Sequence, residues 1–374
     1  MHKNKEKIKA VICCGSVSWG GLEMAGVESA VKLSKQGHEV LLVCRVNSKL
    51  ESEAKLNSLK TLPVFSKDIM LVSSIIKLKK IIKEFKPDVI HTHLSHDLWV
   101  IVPALSLTGS NAKLFLTKHM ASGVKKKDLF HKFLYKRVNK IFAVSNYIKE
   151  SVLNTCPAAE ENVILLPDGI DLQKFNPALY NKSQIKKQNR LPEDRMIIGI
   201  IGRMTPGKGH EEFLNAAKII NENYSDKVFF LVVGSASFGE DDYETKIRNL
   251  AEELNLANIL FTGYRKDTPE MLSVMDILAF PSHNESFGIT LLEAMAMGVP
   301  PAASGNAGVL DIVINNETGL LVEPKNSVEL AGAIIKLIND EELRKKFAKA
   351  ARNRAEQEFD FNIIINRLIE NYTQ

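Results

Sequence analysis

Glu285 and Glu293 stand eight residues apart in the stretch PSHNESFGITLLEAMAMGVPPAASGNAG, residues 281–308. Were all eight steps helical, about 12 Å of helix axis would separate them. That is long for two carboxylates sharing one bond and suited to gripping the two ends of an elongated ligand. A short apolar run, 276–280, reads as a buried strand that Pro281 and Ser282 stop. Ser286, Phe287, Gly288 and Ile289 then open a helix whose apolar positions Leu291, Leu292, Met295 and Met297 recur at near-helical spacing. Free N–H groups and the dipole at such a helix start attract an anion beyond the strand end, and Gly288 lets the backbone come close to it. Each glutamate taken alone fits a surface position on a capped helix. All of these features in one run favour a ligand site.

Two permanent cations occupy a second glycine-rich turn. Gly202, Gly207 and Lys208 have the spacing of a phosphate-binding loop, after an apolar strand and before a helix. The next residue in such a loop is a Ser or Thr that holds Mg²⁺, and here it is Gly209. The nucleotide-hydrolysing reading thereby loses its metal. What survives is Arg203, a planar fork, and Lys208, a point charge, able to clamp a diphosphate. The other reading is two solvated cations on a loop.

His91, His93, His96 and Asp97 gather near one strand end, as metal ligands do. The two strand histidines are read as pointing to opposite faces, which argues against a shared metal and makes at least one of them a packing group. His119 ends the strand 113–119, and ligands of open α/β sheets collect beyond strand ends. It is either a functional group or a satisfied structural histidine. Cys13, Cys14, Cys44 and Cys156 lack metal-ligand spacing and read as reduced thiols of a cytosolic protein. No metal site is expected.

A frame must hold these residues, and the chain alternates strand and helix throughout. Strand 9–14, glycine-rich loop 15–21, a helix to about residue 36, Gly37 and strand 38–44 make a βαβ unit with a parallel sheet. Gly20, Gly21 and Gly26 lack the spacing of a dinucleotide fingerprint, so NAD and FAD are discounted. A helix at 73–85 interleaves Lys77, Lys79, Lys80 and Lys83 with apolar residues; it either covers the sheet with a solvated face or touches a membrane. Strands at 88–93, 113–119, 141–144 and 163–166 follow, with Ser145 capping a helix at 146–153. Residues 176–194 lose apolar periodicity, carry two prolines and read as a linker. Alternation then restarts, with strands at 196–202, 228–233, 259–262, 277–280 and 319–322 and helices at 211–220 and 243–254. The class is α/β, in two doubly wound halves.

At 374 residues and 45% hydrophobic, the chain can bury two cores. Its net charge of +5 hides an asymmetry: residues 1–150 hold 26 Lys and Arg against 12 Asp and Glu. The first half therefore suits an anionic surface or substrate. Behind the basic start the apolar run is about six residues, too short for a secretory leader or a membrane span. A soluble, cytoplasmic protein is expected. Few aromatics lie among the lysines of the basic half, and the phosphate-type loop lies in the acidic one, so nucleic acid is not expected as a partner.

These runs together carry a resemblance. G-R-x-x-x-x-K-G at 202–209, P-S-x-x-E-S-F-G-x-x-x-L-E-A-M-A-x-G-x-P at 281–300 and E-T-G-L-L-V-E-P at 317–324 resemble a family 4 glycosyltransferase of the GT-B fold, of the bacterial lipopolysaccharide and polysaccharide type. W-G-G-L-E at 19–23, D-V-I-H-T-H at 88–93, A-V-S at 143–145 and P-D-G-I-D at 167–171 are similar to the same family, so nearly the whole chain is covered. The resemblance implies two Rossmann-like doubly wound domains facing across a cleft. Residues 1–178 would be the acceptor side and 179–359 the nucleotide-sugar side, with a last helix within 360–374 packing back on the first domain. It implies transfer, with retained anomeric configuration, of a hexose or N-acetylhexosamine from a UDP-, GDP- or ADP-sugar to a hydroxyl of a lipid-linked or polysaccharide glycan. No metal and no cofactor would be needed.

Residue by residue, the resemblance gives Arg203 and Lys208 the donor diphosphate and the charge building on the leaving group. Backbone amides of the Ser286, Phe287, Gly288 and Ile289 run would assist, Glu293 would hold ribose hydroxyls, and Glu285 would sit near the donor sugar. Gly20 and Gly21 would allow close approach to the diphosphate, and His119 would lie beside the transferring sugar. Arg203, Lys208, Glu285 and His119 form the expected catalytic set, without a discrete nucleophile. Two departures stand out. Asp168 replaces a usual Asn and is read as a change of little consequence. The usual G-G-x-x-E appears as Asn306-Ala-Gly-Val-Leu-Asp311, which leaves that loop's part in hydroxyl or base recognition open. Sugar-nucleotide epimerisation with hydrolysis on the same fold, and a non-catalytic nucleotide-sugar or nucleic-acid binding module, are the alternatives. The basic first half admits a peripheral place on the inner face of a membrane.

Overall fold

The computed structural model describes residues 7–65, 71–237 and 239–374. Residues 1–6, the start of the stretch weighed as a leader, lie outside the described residues. The chain divides into two compact units, residues 1–168 with 362–374, and residues 169–361.

The first unit alternates β1 (Lys9–Cys14), α1 (Gly21–Lys35), β2 (Glu39–Arg45), α2 (Lys49–Leu56), β3 (Lys60–Phe65), α3 (Leu71–Phe85), β4 (Val89–Thr92), α4 (Leu98–Thr108), β5 (Lys113–Lys118), α5 (Leu129–Lys136), β6 (Lys140–Ala143), α6 (Asn146–Thr155) and β7 (Val163–Leu165). The seven strands lie in the order β3-β2-β1-β4-β5-β6-β7, and all are parallel. Helices on both faces bury such a sheet, so β1 and β2 read as unbroken apolar runs, not as alternating ones. α1 stops at Gly37, whose φ of +89° is costly for any residue with a Cβ. The order reverses between β1 and β4, which makes a topological switch point there.

The second unit runs α7 (Lys182–Gln188), β8 (Met196–Ile201), α8 (His210–Tyr224), β9 (Val228–Val233), α9 (Asp241–Glu253), β10 (Ile259–Phe261), α10 (Thr268–Val274), β11 (Ile277–Phe280), α11 (Ile289–Ala296), β12 (Pro301–Ser304), α12 (Val309–Ile312), β13 (Leu320–Val322), α13 (Ser327–Asn339) and α14 (Glu341–Glu358). Its six parallel strands follow the order β10-β9-β8-β11-β12-β13, with the switch point between β8 and β11. The core joins Ile198, Ile200, Phe230 and Val232 of the sheet to Phe213, Leu214 and Ala217 of α8 and to Leu330, Ile334 and Leu337 of α13.

The last helix, α15 (Phe361–Thr373), contributes its residues from 362 onward to the first unit. Its Tyr372 reaches His91 of β4, Asn371 accepts from Lys140 of β6, and Arg367 donates to the Leu165 carbonyl of β7. The span read as a linker contains α7. Ile185 and Lys186 are buried there, and the Lys186 ammonium donates to the carbonyls of Glu193 and Arg195, so the polar helix is held by its buried cation. The helix of the 281–308 stretch opens at Ile289, not at Ser286, because Gly288 leaves helical geometry at φ +108°. Glu285 and Glu293 are therefore not joined by eight helical steps, and the 12 Å spacing does not apply.

Candidate functional site

In the second unit the loops after β8, β9, β11 and β12 meet beyond the strand ends at the switch point. Glycines allow it. Gly209 (φ +82°) stands against the Pro281 carbonyl, Gly234 (φ +137°) against the Gly202 carbonyl, and Gly308 against the Ser286 backbone; a Cβ at any of the three would collide. Backbone hydrogen bonds then join the loops, His283 N–H to Gly207 O at 2.8 Å and Gly308 N–H to Glu285 O at 2.9 Å.

This framework carries the charged side chains. Lys208 Nζ lies 2.5 Å from Glu285 Oε1, across 77 residues of sequence, and Ser282 Oγ donates to the same oxygen at 3.1 Å. Arg203 extends from the same loop, exposed, with one guanidinium nitrogen 3.4 Å from Ser237 Oγ. Thr205 Oγ1 donates to Glu240 Oε1 at 2.6 Å, and this bond is the largest cause holding the Glu240 carboxyl below its ordinary range. α11 begins at Gly288 with no side-chain cap among the described residues, so its first N–H groups are left to a ligand or solvent. Glu293 is buried on α11 one turn further in, while Phe287 is buried against the Phe359 ring, 6.0 Å between centroids. Ser286 and Phe287 thus belong to the loop, and the Phe287 side chain is taken up by the core.

Sequence reasoning missed several neighbours. Glu212 Oε1 lies 2.8 Å from His283 Nε2, and Asn306 Nδ2 donates to the His283 carbonyl. Glu212 Oε2 and Asn306 Oδ1 are buried without a partner. His210, buried at the start of α8, has neither ring nitrogen bonded, and burial pushes its pKa down to about 4. These residues come from the start of α8 and from the separate loops after β11 and β12, and no local pattern announces them.

In the first unit the loop after β1 leads through Gly15 to Gly20, the extended residue preceding α1, and Gly21, its first helical residue. Asp97, opposite it after β4, is buried. Its Oδ2 accepts from Gly15 N–H at 3.1 Å and Thr92 Oγ1 at 3.0 Å, which clamps the two loops together across the switch point. Burial raises its carboxyl from 3.8 to about 7, against the lowering effect of those two bonds. His119 follows β5 and is buried, its Nε2 3.0 Å from His93 Nδ1 and its Nδ1 3.6 Å from Asp168 Oδ2. His91 bonds Tyr372 Oη at 2.6 Å and Thr117 Oγ1 at 2.7 Å. The rings of His91 and His93 stack at 4.7 Å, so the reading that set them on opposite faces is corrected: residues two apart on a strand share a face. Among the described residues no group of three or more His, Cys, Asp and Glu could hold a metal.

Two all-parallel Rossmann-like units, each with its loops gathered at a switch point, and a cationic loop joined through Lys208 and Glu285 to the turn before an uncapped helix in the second define a class: two-domain, doubly wound α/β proteins. Comparison with known proteins places the chain within that class. The profile described as "Glycosyl transferases group 1" matches residues 181–354, and that of "Glycosyltransferase Family 4" residues 19–174. The capsular polysaccharide biosynthesis glycosyltransferase CapM of Staphylococcus aureus is 32% identical over 62% of this chain, which spans 60% of the length of CapM. The UDP-Gal:alpha-D-GlcNAc-diphosphoundecaprenol alpha-1,3-galactosyltransferase of Escherichia coli is 27% identical over 92% of this chain and 90% of its own length. The crystal structure of a glycosyltransferase from Rickettsia africae superposes with a TM-score of 0.87 at 25% identity, covering 98% of each chain. Anabaena HepE in complex with UDP and glucose shares the fold, with a TM-score of 0.85 at 21% identity over 98% of this chain and all of that one. The chain belongs to the family 4 glycosyltransferases, enzymes of the GT-B fold.

Proposed function

We propose that this enzyme transfers a hexose or N-acetylhexosamine from a nucleotide-diphosphate sugar to a hydroxyl of a lipid-linked or polysaccharide glycan, with retention of anomeric configuration. The observation that carries the reading is the Lys208–Glu285 contact, which brings the cationic loop after β8, with Arg203 on it, to the turn that leads into the uncapped start of α11. In the reaction the bond from the sugar C1 to the diphosphate oxygen breaks and a bond from C1 to the acceptor oxygen forms. The acceptor's proton leaves with the nucleoside diphosphate.

The charge that develops on the leaving oxygen is met by Arg203, Lys208 and the amides near Gly288, fixed donors whose placement precedes the reaction. Lys208 and Glu285 begin as partners. A diphosphate that engages the ammonium frees a carboxylate oxygen of Glu285 to accept from a sugar hydroxyl, so one side-chain pair serves both ends of the donor bond. Glu293 takes the ribose hydroxyls. On the family's pattern, Gly20 and Gly21 give close approach to the diphosphate, and His119 lies beside the sugar. The E. coli relative and the Campylobacter jejuni N,N'-diacetylbacillosaminyl-diphospho-undecaprenol alpha-1,3-N-acetylgalactosaminyltransferase, 30% identical over 65% of this chain, carry lipid diphosphates in their names and support such an acceptor.

An acceptor of that kind brings the protein to an anionic membrane surface. In the first unit Val124, Leu129, Phe130 and Phe133 are 56–80% exposed, and Lys125, Lys127, Lys132 and Lys136 are exposed among them. Apolar side chains ringed by ammonium groups match the chemistry of an anionic interface. No helix among the described residues is long and apolar enough to cross a membrane.

A panel of UDP-, GDP- and ADP-sugars in EDTA, read by thermal shift and by release of nucleotide, tests the central claim. The expected result is one stabilising donor whose effect survives chelation and is lost in Arg203→Ala and Lys208→Ala. Stabilisation by none, or by ATP with Mg²⁺ alone, overturns it. Release of free sugar without a transferred product assigns the fold's hydrolytic chemistry instead.

A further inference from the structure

Three histidines of the first unit, His91, His93 and His119, form a short buried chain, and its proton positions follow from its partners. His93 Nδ1 and His119 Nε2 are 3.0 Å apart, so one proton lies between them. Burial, reinforced by the neighbouring His91 and His119, pushes the His93 pKa well down, and His93 is therefore neutral, with one N–H. Its other nitrogen, Nε2, is buried without a partner and faces Gly26 of α1, where a Cβ would stand 3.8 Å from it.

Two arrangements satisfy the 3.0 Å contact. If His119 Nε2–H donates, His93 must carry its proton on Nε2, as a buried N–H with no acceptor. With that proton alone, His119 then turns a bare Nδ1 lone pair to the Asp168 carboxylate at 3.6 Å. If His93 Nδ1–H donates, the unpartnered atom of His93 is a lone pair. His119 then carries its own proton on Nδ1, directed at Asp168. Orphaned buried donors are rarer than orphaned acceptors, and a carboxylate repels a lone pair and attracts an N–H. Both considerations select the second arrangement independently.

We propose that His93 and Asp168 are positioning residues that lock His119 as its Nδ1–H tautomer, so that His119 serves the reaction as a group of fixed hydrogen-bond polarity and not as a proton carrier. Its Nε2 is filled by the His93 donor and its Nδ1–H points to Asp168, which leaves neither nitrogen to receive a proton from an acceptor hydroxyl. Asp168 stands where the family usually has Asn, the departure that sequence alone reads as inconsequential. An amide oxygen could accept the same N–H, so the position keeps its function while the carboxylate strengthens the bias. The importance of His119 to transfer rests on the function proposed above; its tautomer does not.

The test keeps those two claims apart. Long-range ¹H–¹⁵N NMR of the full-length protein, with the His119 ring assigned by its loss in His119→Gln, reads the tautomer without any substrate. The proposal expects Nδ1–H in the wild type, a mixed or Nε2–H ring in Asp168→Ala, and Nδ1–H restored in Asp168→Asn. In the transfer assay, kcat falls on the order of 10- to 100-fold in Asp168→Ala, with the donor KM little changed, and recovers in Asp168→Asn, as loss of alignment predicts. An Nε2–H ring in the wild type overturns the proposal whatever the variants do. A wild-type Nδ1–H ring that Asp168→Ala leaves intact overturns the part given to Asp168. An Nδ1–H ring in a protein with no transferase activity upholds the tautomer and refutes the proposed function instead.

Discussion

Asp97→Asn should make the first unit more stable at pH 8 and remove much of its pH dependence. Asp97 is buried, and burial raises its carboxyl from 3.8 to about 7. A folded pKa above the unfolded one means that the native state holds the proton more tightly. The associated stability is fully present below about pH 3.8 and is lost as the pH rises through 7. A shift of about three units corresponds to about 4 kcal/mol, of which about 2.5 kcal/mol is lost between pH 5 and pH 8. Asn keeps one oxygen to receive Gly15 N–H and Thr92 Oγ1, since both bonds converge on Oδ2. Its amide nitrogen would sit in the place of Oδ1 as a buried donor, at a cost of about 1–3 kcal/mol. The net expectation is a variant more stable than wild type by about 1–3 kcal/mol at pH 8 and equal to it or weaker at pH 5. Both tryptophans, Trp19 and Trp99, lie in the first unit. Urea unfolding followed by tryptophan fluorescence therefore reports that unit, where a whole-chain melting temperature would mix the two. Taking the difference between variant and wild type cancels the other titrating groups. A difference that is flat from pH 5 to pH 8, or that moves in favour of Asp97 towards pH 8, refutes the reasoning.

Two further outcomes follow from single backbone and surface features. Ala307 holds φ +45°, a left-handed conformation, in the place of the first glycine of the family's usual pair. Ala307→Gly should relieve that strain and stabilise the second unit by about 1 kcal/mol in calorimetry, and a destabilised variant would mean that the Ala307 methyl contributes packing exceeding the strain. Phe130→Ser with Phe133→Ser should reduce flotation with anionic vesicles at low salt several-fold while leaving donor-induced thermal stabilisation intact. Unchanged flotation would remove this face from any membrane contact.

The sequence disclosed most where burial was two-sided. β1, β2, β9 and β11 are short uninterrupted apolar runs because a parallel sheet covered on both faces leaves no polar side to alternate with. β12 escaped notice because its Pro-Ala-Ala-Ser carries little apolar bulk, and β3 because Lys60, Thr61 and Pro63 dilute its pattern. α7 looked like linker for the same reason: its anchors are one isoleucine and a lysine whose partners are carbonyls beyond the helix. The types of the site residues were readable, since a cationic turn and a glycine before an apolar helix each have a local signature. Their partners were not. Lys208 and Glu285 are 77 residues apart, and His119 and Asp168 belong to different loops, so only the fold could make either a pair.

That division has a physical cause which also bears on how the site works. A local motif records what the backbone must do at one point, such as turn or approach closely. The pairing of charges records where the sheet carries several such points. In the second unit the loops after β8 and β11 belong to strands separated in sequence by β9 and β10, yet adjacent at the switch point, and this adjacency brings Lys208 to Glu285. In the first unit the same rule brings the loop after β1 to Asp97 after β4. Glycines 209, 234 and 308 are then required not by their own turns alone but by neighbouring backbone that occupies the space of a Cβ. A substitution at any of them would displace a loop that carries a charge. Its effect on donor binding should therefore exceed what the residue's own contacts predict, because the cation and the carboxylate that face the ligand move with the backbone that holds them.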